Sequence, residues 1–139
     1  VALLDVNALV ALAWDAHVHH DVVRAWFAAS AAAGWSTCPL TESGFVRVSS
    51  NPKVLAHAIS VEQARAVLRA LREHEGHRFL HDDVSLSDPE IPPLHGHRQV
   101  TDAHLLALAR RHETRLLTFD AAAATLAVAG EVELLTALR

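Results

Sequence analysis

Val1-Ala2-Leu3-Leu4-Asp5-Val6 opens the chain and reads as a short buried strand with an acid at its carboxyl end. Ala8 to Trp14 continues apolar and Ala-rich, as a helix opening soon after that strand would. The same alternation recurs. Further strands are expected at Trp35 to Cys38, closed by Pro39, at His77 to Leu80, at Arg115 to Phe119, ending in Asp120, and at Val132 to Leu135. Helical spacing fills the intervals. Val22, Val23, Trp26 and Phe27 follow Asp21 and stop at Gly34. Phe45, Val46 and Val48 follow Thr41, a candidate N-cap, and end at Asn51-Pro52. Ser60 and Gln63 form a capping-box signature before Ala64, Val67, Leu68 and Leu71. Thr101 precedes Leu105, Leu106, Leu108 and Ala109 as the cap of a strongly periodic helix, and an Ala-rich helix follows Asp120. Strands alternating with helices imply the α/β class, with a mostly parallel central sheet between helical layers.

Bulk composition narrows the function classes. A chain of 139 residues, 51% apolar, is expected to form a single domain, residues 1–139, with a sizeable core. The net charge of -4 argues against duplex binding driven by charge alone. No apolar run approaches the ~18 residues of a membrane span. The opening stretch is interrupted by Asp5 and Asn7 and lacks a basic leader, so a soluble, cytoplasmic protein is expected. The one cysteine, Cys38, allows no intrachain disulfide.

Four acids stand where strands end or helices begin: Asp5, Glu42, Asp102 and Asp120. A carboxylate buried beside apolar residues costs on the order of several kcal/mol unless it is paired or bound to metal. No Lys or Arg nearby in the sequence offers to pair all four. Convergence on a hard divalent cation is the economical explanation, and in parallel sheets sites lie beyond the carboxyl ends of strands. Such a cation supplies what phosphodiester hydrolysis needs: a strong nucleophile at neutral pH and neutralisation of phosphate charge. Asp102 alone is explained as a helix-start residue; Asp5, inside an apolar run, is expected to have no capping role.

The motifs around these acids carry a resemblance. Leu3-Leu4-Asp5-Val6-Asn7, Cys38-Pro39-Leu40-Thr41-Glu42-Ser43-Gly44-Phe45, the stretch from Gln99 to Ala109, and Leu116-Leu117-Thr118-Phe119-Asp120 resemble, in order, the four acidic motifs of PIN-domain nucleases. Length and third motif are most similar to the VapC-type toxins of bacterial toxin–antitoxin pairs. The resemblance implies a three-layer α/β/α fold and a Mg²⁺- or Mn²⁺-dependent endoribonuclease. Metal-activated water would leave a 5′-phosphate and a 3′-hydroxyl. It further implies an RNA substrate, a homodimer and a cognate antitoxin protein. Asp5 and Asp102 would contact the metal most directly. Glu42 would orient the attacking water or act as base, and Asp120 would bind through water or a second ion. Asn7 and Thr118 would hold the carboxylates. A further acid shortly after Asp120, present in some members, is absent here.

Other readings fit less well. A phosphatase of the haloacid-dehalogenase type wants an acid where Asn7 stands, and a receiver domain wants a late-strand lysine, whereas the only lysine is Lys53. A housekeeping nuclease of RNA processing and a non-catalytic module of the same fold are the remaining alternatives. His17, His19 and His20, or His95 with His97, suggest a Zn²⁺ or Ni²⁺ site, against which stands the solvated-loop reading. Arg65, Arg69 and Arg72 share helical spacing; a solvated face is the default and a phosphate-contact stripe the alternative.

Overall fold

The computed structural model describes residues 1–136. Five strands form one sheet: β1 (Ala2–Leu4), β2 (Trp35–Thr37), β3 (His77–Phe79), β4 (Arg115–Thr118) and β5 (Val132–Leu134). Their order is β3-β2-β1-β4-β5, and every described pairing is parallel, so the expected mostly parallel sheet is wholly parallel among the described strands. Helices α1 (Val6–Ala13), α2 (His20–Ser30), α3 (Pro39–Ser49), α4 (Val61–Arg72), α5 (Val100–Arg111) and α6 (Ala121–Ala124) connect them.

Strand alternation sorts the core onto two faces. Ala2, Leu4 and Leu117 point to one side, where Leu9, Phe45 and Trp35 pack with Phe27 and Leu71. Leu3 and Leu116 point to the other, against Leu105, Leu106 and Leu108 of α5. The near-continuous apolar character of β1 and β4 is therefore the signature of strands covered on both faces.

Element boundaries depart from the sequence reading at three places. Helix α1 begins at Val6, not Ala8, because Asp5 itself is the N-cap. Helix α3 begins at Pro39 with Cys38 as N-cap; Thr41, expected to be the cap, lies one turn in and accepts the Cys38 backbone N–H at 3.0 Å. Proline at the first helical position explains the early start, since the missing N–H would have lacked a partner there anyway. Helix α5 begins at Val100, preceded by a tight turn over His97–Gln99, so Thr101 is a first-turn residue rather than the cap. The capping box of Ser60 and Gln63 is formed as read.

The segment from His81 to Gly96 has no helix or strand, yet it is tied down. Asp82 pairs with His104 at 2.7 Å, Asp83 with Arg111 at 2.8 Å, and the His81 carbonyl meets His112 at 2.9 Å. No helix among the described residues is long and apolar enough to cross a membrane.

Backbone geometry requires glycine where the chain enters β2 and β3. Gly34, leading into β2, has φ of 125°, in the region that favours glycine. Gly76, leading into β3, passes so close to the chain after α2 that a Cβ would lie 2.0 Å from the Ala31 carbonyl oxygen. Gly76→Ala should therefore force a backbone shift and cost about 1–3 kcal/mol. Urea denaturation of the two forms checks this; an unchanged midpoint would show that β3 is not held by that approach.

Candidate active site

Strand order locates the site before any side chain is considered. From β1 the chain moves outward through β2 to β3, then crosses to β4 on the other flank of β1. The order reverses between β1 and β4, and at such a switch point the connections part and leave a crevice at the carboxyl ends. Asp5 directly follows β1 and Asp120 follows β4 after one residue. Glu42 lies in the first turn of the helix that follows β2, the other neighbour of β1. Asp102 lies in the first turn of α5, where the helix dipole favours negative charge.

Asp5 is the pivot. Its backbone N–H still bonds across the sheet to the Leu117 carbonyl at 3.1 Å, while its side chain turns to start α1. One carboxylate oxygen, Oδ1, accepts the Ala8 N–H at 2.8 Å. The other, Oδ2, accepts a short hydrogen bond from the Thr118 hydroxyl. The expectation that Asp5 has no capping role is thus corrected: a connection of one residue between β1 and α1 makes it strand end and N-cap together. Thr118, wholly buried, also accepts the Asp120 backbone N–H at 3.0 Å. A single hydroxyl therefore joins the two acids flanking the switch point. Asp120 in turn caps α6, its Oδ1 accepting the Ala122 N–H at 2.9 Å. Asn7 is exposed and makes no side-chain hydrogen bond to these acids among the described residues.

Electrostatics ties Asp5, Asp102 and Asp120 together. Burial pushes the Asp5 carboxyl up to about 6, against its hydrogen bonds, and the charges of Asp102 and Asp120 push in the same direction. The Asp102 carboxyl is also raised, first by burial and then by Asp120. Among the described residues no Lys or Arg forms an ion pair with any of these three. Glu42 has partners of its own: Oε2 accepts the Thr37 hydroxyl at 2.6 Å, and Oε1 faces Arg72 at 3.4 Å. Among the described residues no three His, Cys, Asp or Glu side chains already converge to hold an ion. Helix capping accounts for part of this, because Asp5 and Asp120 each turn an oxygen towards a backbone N–H. The donor set nevertheless fits a hard cation: three mutually repelling carboxylates, hard oxygens throughout, are paired with no Lys or Arg among the described residues.

The remaining candidates from sequence resolve differently. His17 accepts the His19 N–H at 3.0 Å, His19 stacks on Phe119, and His20 meets the Ala11 carbonyl at 2.7 Å. These histidines join loop and helix to the core rather than gather around a common point. His95 and His97 are exposed. Arg65 pairs with Glu62 on the exposed face of α4, whereas Arg72, at the end of the same stripe, reaches Glu42. A broad open groove of about 800 Å³ lies between α3 and α4, with Glu42, Arg47 and Arg65 on its walls. Sequence reasoning missed Thr37 and His77 beside Glu42, and it read Arg72 as part of a solvated or phosphate-contact stripe rather than as a partner of Glu42.

Residues 2–129 match the family described as PIN domain. The chain belongs to the PIN-domain family. Its relatives place it among the VapC ribonucleases. It is 64% identical to Ribonuclease VapC38 of Mycobacterium tuberculosis, over 99% of this chain and 100% of that protein. It is 48% identical to Ribonuclease VapC39 of the same species, over 96% and 99%. The crystal structure of Mycobacterium tuberculosis VapC20, titled a sarcin-ricin loop cleaving toxin, superposes with a TM-score of 0.64 over 98% of this chain and 100% of that one. At 15% identity that likeness speaks for the PIN fold alone.

The raised Asp5 carboxyl makes a prediction for the metal-free protein. A group whose pKa rises on folding supports the native state fully below its ordinary value of 3.8, and that support is lost as pH rises through about 6. Asp5→Asn, measured in EDTA, should gain on the wild type by roughly 2–3 kcal/mol between about pH 4 and pH 8. Urea midpoints at the two pH values check this, and a difference independent of pH would contradict it.

Proposed function

We propose that this protein is the endoribonuclease toxin of a toxin–antitoxin pair, hydrolysing RNA phosphodiester bonds at the carboxyl ends of β1 and β4, where Asp5, Asp102 and Asp120 act on one another electrostatically. The single observation that carries the reading is that, at the switch point of a PIN fold, the charges of Asp102 and Asp120 push the Asp5 carboxyl up, and that of Asp120 pushes Asp102 up, with no Lys or Arg paired to any of the three among the described residues. The chain's 64% identity to a protein named a ribonuclease supports the same reaction class.

Mg²⁺ or Mn²⁺ is the cofactor we infer, held by Asp5, Asp102 and Asp120 with Glu42 beside them. When bound, it supplies charge neutralisation at the phosphate and acidifies water. The protein's own contributions follow from its hydrogen bonds. Three carboxylates in one field would repel an anionic phosphodiester, so without a cation the substrate is excluded. Thr118 fixes the Asp5 carboxylate from the sheet side while the Ala8 N–H fixes it from α1, so its orientation is set by two elements packed into the core. Glu42, anchored through one oxygen to Thr37, is suited to receive a proton from water or to orient it. Asp102 is carried into the site by α5, which is anchored by Leu105, Leu106 and Leu108.

The reading includes a cytoplasmic setting, a cognate antitoxin and a second copy of the chain as partners. Purified protein should fragment total cellular RNA with Mg²⁺ or Mn²⁺, and EDTA should stop it. Asp102→Asn should lower the rate by about a hundredfold or more, in line with loss of a metal-holding or charge-stabilising group. Identical products in EDTA, or full activity in the variant, would reject the mechanism. Expression without a partner should arrest growth, and the Asp5→Ala form should not; unimpaired growth with folded wild-type protein would favour a housekeeping nuclease.

A further inference from the structure

Glu42 is approached from the edge of the sheet by an arrangement that the reaction, as described, leaves unused. Thr37 ends β2 and His77 begins β3, the neighbouring edge strand. His77 stands opposite Trp35 in the register, and its ring packs edge-on against the Trp35 indole with centroids 4.8 Å apart. From there it reaches diagonally along the same face, bringing Nε2 to 2.7 Å from the Thr37 hydroxyl oxygen. That hydroxyl lies 2.6 Å from Glu42 Oε2.

The direction of these two bonds follows from proton counting. A threonine hydroxyl has one proton and spare lone pairs, and an ionised carboxylate can only accept. The Thr37 proton is therefore committed to Glu42, and Thr37 can only accept from His77. His77 must carry its proton on Nε2, leaving Nδ1 bare. Burial, Arg72 and His74 hold the His77 imidazole down at about 4, so the ring is neutral near pH 7 and has a single proton, which the bond to Thr37 assigns to Nε2. A second contact steadies Glu42 from α4: Arg72 faces Oε1 and rests over the Phe79 ring at 4.7 Å from its centroid. Arg72 is the more exposed of the two supports, and its 3.4 Å approach is the looser one.

We infer that His77 is a positioning residue for Glu42, acting through the Thr37 hydroxyl to hold the carboxylate in one orientation at the site. The inference rests on the reading of Glu42 as part of the hydrolytic site. A carboxylate that must take a proton or steady water works best in one rotamer, and a part-buried two-bond relay from the sheet edge supplies that constraint. The edge strand β3, otherwise remote from the switch point, thereby acquires a function.

Three measurements on the full chain test it. Long-range ¹H–¹⁵N spectra of the wild type near pH 7 should show His77 as the Nε2–H tautomer; an Nδ1–H tautomer would overturn the inference whether or not the protein cuts RNA. His77→Phe keeps the aromatic packing and removes the donor. It should lower kcat on total RNA about tenfold or more with KM within about twofold, and raise the Mn²⁺ concentration needed for half of the metal-induced rise in melting temperature. His77→Gln, which restores a side-chain donor, should recover most of both losses. Equal losses in the Phe and Gln variants would mark His77 as a packing residue only, and unchanged kcat and Mn²⁺ response in His77→Phe would also reject the relay. A wild type that cuts no RNA would instead overturn the nuclease reading, with the tautomer result still deciding the relay.

Discussion

The negative charge of Asp5 is the constraint around which the centre of the molecule is organised. The residue is almost completely buried between β1 and α1, and two more carboxylates lie within its field. Ordinary proteins meet such a charge with an arginine or lysine. Here the neighbouring groups are a hydroxyl and a backbone N–H, which orient the carboxylate without neutralising it. Two hydrogen bonds offset part of the desolvation, yet the carboxyl still lies near 6, so burial and repulsion win. Asp5 therefore costs the metal-free fold stability at neutral pH, and that cost is the observation on which the proposed cation rests.

Topology and hydrogen bonding converge on the same spot. The strand order reverses between β1 and β4, and Thr118, the last residue of β4, bonds to the acids on both sides of that reversal. Both acids also cap the helices that follow them. Each cap fixes where its helix begins, so the positions of the carboxylates and the angles of α1 and α6 are set by the same bonds. This coupling is why the site can be exact in its placement while lying at the junction of loops. Glu42 follows a different plan. It stands on α3 and is steadied by side chains from β2, β3 and α4, so its orientation depends on tertiary contacts rather than on a cap.

Much of this was legible in the chain. The strands of the centre stand out because both their faces are covered, which leaves continuous apolar runs at Ala2–Leu4 and Leu116–Leu117. The acids stand out because they interrupt or end those runs, and Thr118 was marked as a group that holds them. Helix starts were less legible. Thr41 and Thr101 look like caps, but Pro39 and Val100 start their helices earlier. The capping role of Asp5 was hidden because strand and helix are separated by one residue, which leaves no turn signal to read. The strand order and the partners of Glu42 were not legible at all. Thr37 and His77 lie 40 positions apart and are brought together by the parallel pairing of β2 with β3, while Arg72 reaches Glu42 from α4.

Diffraction from a crystal soaked in Mn²⁺, recorded for anomalous scattering at the manganese edge, tests the central claim most directly. The account predicts an anomalous peak at the carboxyl ends of β1 and β4, within ligand distance of Asp5 and of Asp102 or Asp120. A crystal whose only peaks lie elsewhere, at His17 and His19 or beside the Asp82–His104 pair, would contradict it.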